Sequence, residues 1–132
     1  MFRRFFSKKP ALTGAPAIRR MKTYSAQSGY VYQYFYEGQR ELGAGTGRST
    51  EYVFQISADR KSWNHANVVV PAAAIDAWQE SHGRELSSTE RYAIAKMALF
   101  QAFDERTGPN EMSAEIGVRP ADVDAIVESL GL

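Results

Sequence analysis

The chain has 132 residues, 44% of them hydrophobic and 23% charged, a length and balance that suit one domain around one core. It has no cysteine, which excludes disulfides, thiolate catalysis, cysteine zinc sites and iron–sulfur clusters. The formal net charge of +1 conceals a division: residues 1–22 hold Arg3, Arg4, Lys8, Lys9, Arg19, Arg20 and Lys22 without a single acid, so all fifteen acids fall in the remainder.

That division reads as a basic, flexible arm and linker over 1–23, followed by a single domain over 24–132. The start, MFRRFFSKKP, lacks the apolar stretch of a secretory signal. No apolar run approaches the roughly 18–20 residues that span a bilayer. A cytoplasmic, soluble protein is expected, with membrane association through the arm as an alternative. An Arg-rich leader without acids also has the composition of an organelle transit peptide, and Met21 is a second possible initiator. If 2–9 became helical, Phe2, Phe5 and Phe6 would share one side, a pattern suited to insertion into an anionic membrane. The seven cations equally suit phosphates of a nucleic acid, or an acidic groove of a larger assembly. Residues 10–23, PALTGAPAIRRMKT, mix Pro, Gly and small residues as linkers do.

Strand signals come next. In GYVYQYFYEG, Tyr30, Tyr32, Tyr34 and Tyr36 recur with period two, which predicts a strand over 30–37. The segment EYVFQIS predicts a second over 51–57, with Tyr52, Phe54 and Ile56 on one face. Pairing the aromatic rows on one side would nucleate a core, each side chain contributing roughly 1.5–3 kcal/mol if fully buried. A stacking platform for unpaired bases would use the same rings, but Glu37, Glu41 and Glu51 flank them where cations would be needed. The glycine-rich stretch 38–50 between these strands reads as a long mobile loop. It fails the test for a phosphate-binding loop: Arg48 stands where the lysine belongs, Leu42 where the first glycine belongs, and a strand follows instead of a helix. A third strand is expected over 63–70, closed by Pro71.

Helices follow. One is predicted over 72–81, with Ile75 and Trp78 on a face. Ser87 and Glu90 have capping-box spacing and open a longer one over 88–106, where Tyr92, Ala95, Leu99 and Phe103 form a stripe. A short helix over 110–116 and a last one over 120–130 complete the series; in the last, Val123, Ile126, Val127 and Leu130 share a face. Strands first and helices after predict an α+β fold: a three-stranded antiparallel sheet whose aromatic face is covered by three or four helices. The expected core comprises Tyr32, Tyr34, Tyr52, Phe54, Ile56, Trp78, Tyr92, Leu99, Phe103, Val123 and Ile126.

Catalytic chemistry finds little support. The two histidines, His65 and His82, lie in different elements with no carboxylate or second histidine at ligand spacing. No nucleophile-elbow motif appears, and acidic neighbours such as Asp104–Glu105 read as solvated helix surface. No cofactor or metal is expected, and the balance leans away from an enzyme. A pocket gathering His65 or Arg48 with buried carboxylates would reverse that balance.

Residues 111–130 carry Ala114, Gly117, Val118 and Val123 at positions that resemble a helix-turn-helix segment, a resemblance confined to about a sixth of the chain. It implies a small residue in a first helix, a turn glycine, and a second helix offered to a DNA groove. The charge of that second helix opposes phosphate, since Asp122 and Asp124 lie on it. The expectation is therefore a non-catalytic interaction module or accessory subunit. Its arm would contact an anionic partner through Arg3, Arg4, Lys8, Lys9, Arg19, Arg20 and Lys22. A nucleic-acid-binding regulator and a peripheral membrane protein are the alternatives.

Overall fold

The computed structural model describes residues 9–132. Five strands form one curled sheet in the order β1 (Lys22–Ser25), β2 (Val31–Leu42), β3 (Ser49–Ser57), β4 (Asn64–Pro71) and β5 (Ile116–Gly117). Three helices accompany them: α1 (Ala72–His82), α2 (Ser88–Glu105) and α3 (Pro120–Leu130). The expectation of a three-stranded antiparallel sheet with three or four helices is therefore corrected. The first three pairings are antiparallel, but β4 and β5 run parallel, so the sheet is mixed. Residues Pro109–Ser113 form only a 3-10 turn in place of the short helix.

Each missed feature has a physical reason. β1 is four residues long and takes Lys22 and Thr23 from the segment read as a linker; only Tyr24 marks its inner face. β5 is two residues, too short for any periodicity. β2 continues five residues past Glu37 because a bulge interrupts its alternation: Tyr36 pairs with Phe54 and Gly38 with Val53, leaving Glu37 as the extra residue. Downstream of that bulge the phase is inverted. Gln39 and Glu41 now face the helices while Arg40 faces away, so the polar stretch that resembled a loop is a regular strand. Gly38 is required there: its φ is +144°, and a Cβ would stand 2.9 Å from the Thr13 carbonyl oxygen. Its hydrogen atom lets residues 12–13 run beside β2, where Thr13 and Gln39 exchange two backbone hydrogen bonds of 2.8 Å.

The inner face of the sheet holds the core. Tyr32, Tyr34, Tyr52, Phe54 and Ile56 are buried against Ile94, Ala95, Leu99 and Phe103 of α2, as are Trp78 of α1 and Val123 and Ile126 of α3. Tyr36 and Tyr92 are half-buried at its margin, and Tyr30, at the end of the tyrosine row, is 42% exposed. The aromatic row of β2 matches a row on α2. Tyr32 stacks on Phe103 with centroids 4.1 Å apart, and Tyr36 meets Tyr92 at 4.8 Å. Four strand residues span about 13–14 Å and eleven helical residues about 16–17 Å, so the two rows stay in step along an antiparallel crossing.

The helix ends follow their local chemistry. Ser87 Oγ accepts from the Glu90 N–H at 3.1 Å and Glu90 returns a carboxylate oxygen to the Ser87 N–H at 2.9 Å, completing the capping box. Gly83 and Gly131 close α1 and α3 in the left-handed conformation. Asp104 is not merely a solvated helix residue. Its carboxylate accepts from Tyr24 Oη at 2.7 Å and from the Gln27 N–H at 2.9 Å, tying the β1–β2 turn to the end of α2.

Candidate anion-binding surface

Phe2, Arg3, Arg4, Phe5, Phe6 and Lys8 lie outside the described residues. The remaining arm cations separate into two groups. Lys9 reaches the outer face of the sheet, where its ammonium sits 3.1 Å from Glu51. Arg40 binds the same carboxylate from the neighbouring strand at 2.8 Å, because Arg40 and Glu51 are cross-strand partners. Glu51 is only 2% exposed, so its carboxylate is already matched by these two cations within the fold.

The other group gathers at one margin of the inner face. Lys22 pairs directly with Tyr34 across β1 and β2, which sends both side chains to the side of α2. There α2 supplies Lys96, whose ammonium stands 6.0 Å from the centre of the Tyr34 ring and 5.8 Å from that of Phe100. Burial, and then the adjacent Lys22 ammonium, push the Lys96 pKa below the ordinary lysine value. Arg20 and Lys22 line a groove of about 280 Å³ together with Pro16, Ile18, Tyr34, Phe35, Tyr36 and Tyr92. Arg19 departs from this group and lies over Phe35, an outward-facing ring, at 5.3 Å. Among the described residues none of Arg19, Arg20, Lys22 or Lys96 has a carboxylate within ion-pair distance. Ile18, on the lining of the groove, is 70% exposed. Of these residues, the sequence marked Arg19, Arg20 and Lys22 but not Lys96 or the groove. Lys96 is one lysine on a long amphipathic helix, and only the sheet register brings it to Lys22.

The residues weighed for catalysis behave differently. His65 Nε2 lies 3.0 Å from Glu37 and 3.0 Å from the Gln55 amide nitrogen on the outer face, as part of one hydrogen-bonded cluster. His82 stacks on Trp78 at 4.2 Å, and its Nδ1 is 2.9 Å from the Trp78 carbonyl oxygen. That contact requires the proton on Nδ1, so this nitrogen cannot act as a base toward Ser81 Oγ, 3.0 Å away. Arg48 lines a separate cleft with Glu41 and Asp76, both of them exposed carboxylates. Among the described residues no three His, Asp or Glu side chains gather as a metal-binding group, and no helix is long and apolar enough to cross a membrane.

The segment that resembles a helix-turn-helix takes another form. Ala114 follows a 3-10 turn, and Ile116 and Gly117 belong to β5. Where that resemblance implies a first helix, the chain pairs with β4 instead. Asp122 is occupied by Arg119, whose backbone N–H and Nε donate to it at 2.8 and 3.0 Å. Neither a protein-family model, nor a curated protein, nor a solved structure matches the chain.

Proposed function

We propose that the protein is a non-catalytic interaction module that holds an acidic segment of a protein partner on the Arg20–Lys22–Lys96 surface, with the basic arm extending the contact. One observation carries this reading: Lys22 lines an aromatic groove and Lys96 stands over the ring of Tyr34, the strand partner of Lys22, and neither ammonium has a carboxylate within ion-pair distance among the described residues. Adjacent like charges are unfavourable until an anion is placed between them. The groove then offers room for an apolar side chain next to the acid, as anchors at interfaces use. Base stacking is the weaker use of the same rings. Tyr32 already stacks on Phe103, and Tyr34 is 5% exposed with Phe100 packed edge-on against it, so few aromatic faces are open.

The test is capture from the native host with wild-type protein and a Lys22→Gln/Lys96→Gln variant, followed by titration of the captured partner's acidic segment. The reading requires that the variant lose binding by at least roughly tenfold, as expected when charge-assisted hydrogen bonds are lost. Parallel gel shifts with RNA and DNA, and sedimentation with anionic liposomes, set the alternatives. Lysine-dependent binding to nucleic acid or vesicles, with no acidic protein segment bound, would replace the proposed partner.

A further inference from the structure

The bulge in β2 creates a second site farther along the inner face, beyond the hydrogen bond of 2.9 Å from Tyr36 Oη to Gln39 Oε1. By inverting the phase of the strand, it turns Gln39 and Glu41 toward the helices, beside Thr50 and Tyr52 of β3. Asp76 and Gln79 of α1 and Arg91 of α2 close over them, and Arg48 enters from the hairpin connection, enclosing a cleft of about 260 Å³. Two cations and two carboxylates line this one space. Among the described residues neither Arg48 nor Arg91 forms an ion pair with Glu41 or Asp76. Glu41 accepts a hydrogen bond from Thr50 Oγ1 at 2.7 Å, which holds that carboxylate in place. Tyr52 adds a hydroxyl to this lining. Its side chain is buried, the residue being 3% exposed, yet its hydroxyl has no hydrogen-bond partner among the described residues. Burial raises the pKa of that hydroxyl, with the Arg91 charge opposing the shift and the Glu41 charge adding to it. That hydroxyl opens on the cleft, where a ligand could take the place of water as its partner.

We propose that this cleft binds a small zwitterion of the α-amino-acid class, its carboxylate held by Arg91, Arg48 and the Tyr52 hydroxyl and its ammonium by Glu41 and Asp76. A simple anion would gain the arginines but face both carboxylates. A simple cation would meet the reverse. Only a molecule carrying both signs satisfies all four side chains, and arginine suits a carboxylate because its planar fork binds two oxygens at once. The volume also points to a small ligand, since it lies below the roughly 300–1,000 Å³ typical of drug-sized sites. This cleft is distinct from the Lys22–Lys96 surface, so the proposal stands independently of the partner proposed there.

The experiment is an amide-resolved NMR titration of the full chain with the standard L-amino acids one at a time, beside acetate and methylamine as single-charge probes. Saturable shifts confined to residues around Tyr52, Asp76, Gln79 and Arg91 are expected with at least one amino acid and with neither single-charge probe. Tyr52→Phe removes only the hydroxyl and Arg91→Gln only the charge, so both variants should keep the spectrum of the folded chain while weakening binding roughly tenfold or more. The proposal is overturned if no amino acid gives saturable shifts. It is equally overturned if acetate reproduces those shifts alone, or if both variants bind as the wild type does.

Discussion

The two faces of the sheet bury side chains by different physics. The inner face buries rings: Tyr32, Tyr34 and Phe54 against Phe103 and its neighbours, an arrangement held by area and shape. The outer face buries charge: Glu51 lies beneath Arg40 and Lys9, held by direction and partner. Along β2 the inward tyrosines alternate with outward Val31, Gln33 and Phe35 until the bulge at Glu37 shifts the phase, after which Gln39 and Glu41 face inward and Arg40 outward. An apolar face fails when volume is lost, whereas a charged one fails when a partner is lost, even if volume is kept.

Phe103→Ala should therefore be the most damaging single change. It removes the ring that stacks on Tyr32 and also lies 5.7 Å from Tyr24, leaving a cavity that rigid strands on one side cannot close. A loss of about 4 kcal/mol is expected, read as a lower urea midpoint with an unchanged slope. If the midpoint barely moves, the inner face is not the cooperative core.

Glu51→Gln tests the other face with almost no change in volume. It leaves Arg40, whose side chain is 17% exposed, without its counter-charge, and about 3 kcal/mol should be lost. The double variant Arg40→Met/Glu51→Leu should recover most of that loss, because an apolar pair of similar bulk needs no partner. Were the double variant as unstable as the single one, packing against the strand and not charge would be the function of Glu51.

Asp104→Ala should weaken the clamp between the β1–β2 turn and α2, at about 1–2 kcal/mol for a charge-assisted bond to Tyr24. Tyr24 reports on it directly. Burial first, and then the bond and charge of Asp104, raise its pKa from 10.0 to about 12. A folded value above the unfolded one contributes stability that is intact below pH 10 and is lost as pH rises from 10 toward 12. In the variant the Tyr24 pKa should fall, and that alkaline loss should begin from a lower starting stability. An unchanged Tyr24 titration would mean that burial alone sets it.

What could be read in the sequence divides along the same two faces. The period-two rows 30–36 and 52–56, and the stripe at 92, 95, 99 and 103, disclosed the inner layer, because hydrophobic periodicity reports burial directly. The outer layer left no such mark. Arg40 and Glu51 look like ordinary surface charges until cross-strand register places them opposite one another. The bulge also broke the pattern that would have extended β2, so Gly38–Leu42 read as loop. β1 and β5 were invisible because four and two residues carry too little pattern, and β5 exists only because β4 offers an edge. At the candidate surface, charge asymmetry pointed to Arg19, Arg20 and Lys22. Lys96 could emerge only from tertiary contact, as could the Tyr52 cleft, which depends on the inverted phase after the bulge.

The smallest predicted effect sits where the two kinds of face meet. Lys96 is a charge at the margin of the aromatic layer, lowered in pKa by burial and by Lys22. Between its depressed folded pKa and its unfolded value of 10.5, the unfolded chain binds the extra proton, so the unfavourable charge weakens folding most at low pH and least as pH approaches the unfolded value. Lys96→Met keeps the stem over Tyr34 and Phe100 and removes the charge. It should stabilise the protein at neutral pH by at most about 0.5 kcal/mol once solvent screening is allowed for. The gap to wild type should close as pH rises toward 10.5. Added inorganic phosphate should narrow the same gap from the other side, by supplying wild type with the counter-charge that the variant no longer needs. A variant less stable than wild type at every pH would show that the cation–π contacts outweigh the repulsion. The ammonium pair would then be a settled part of the fold, and no longer an argument for an anionic partner.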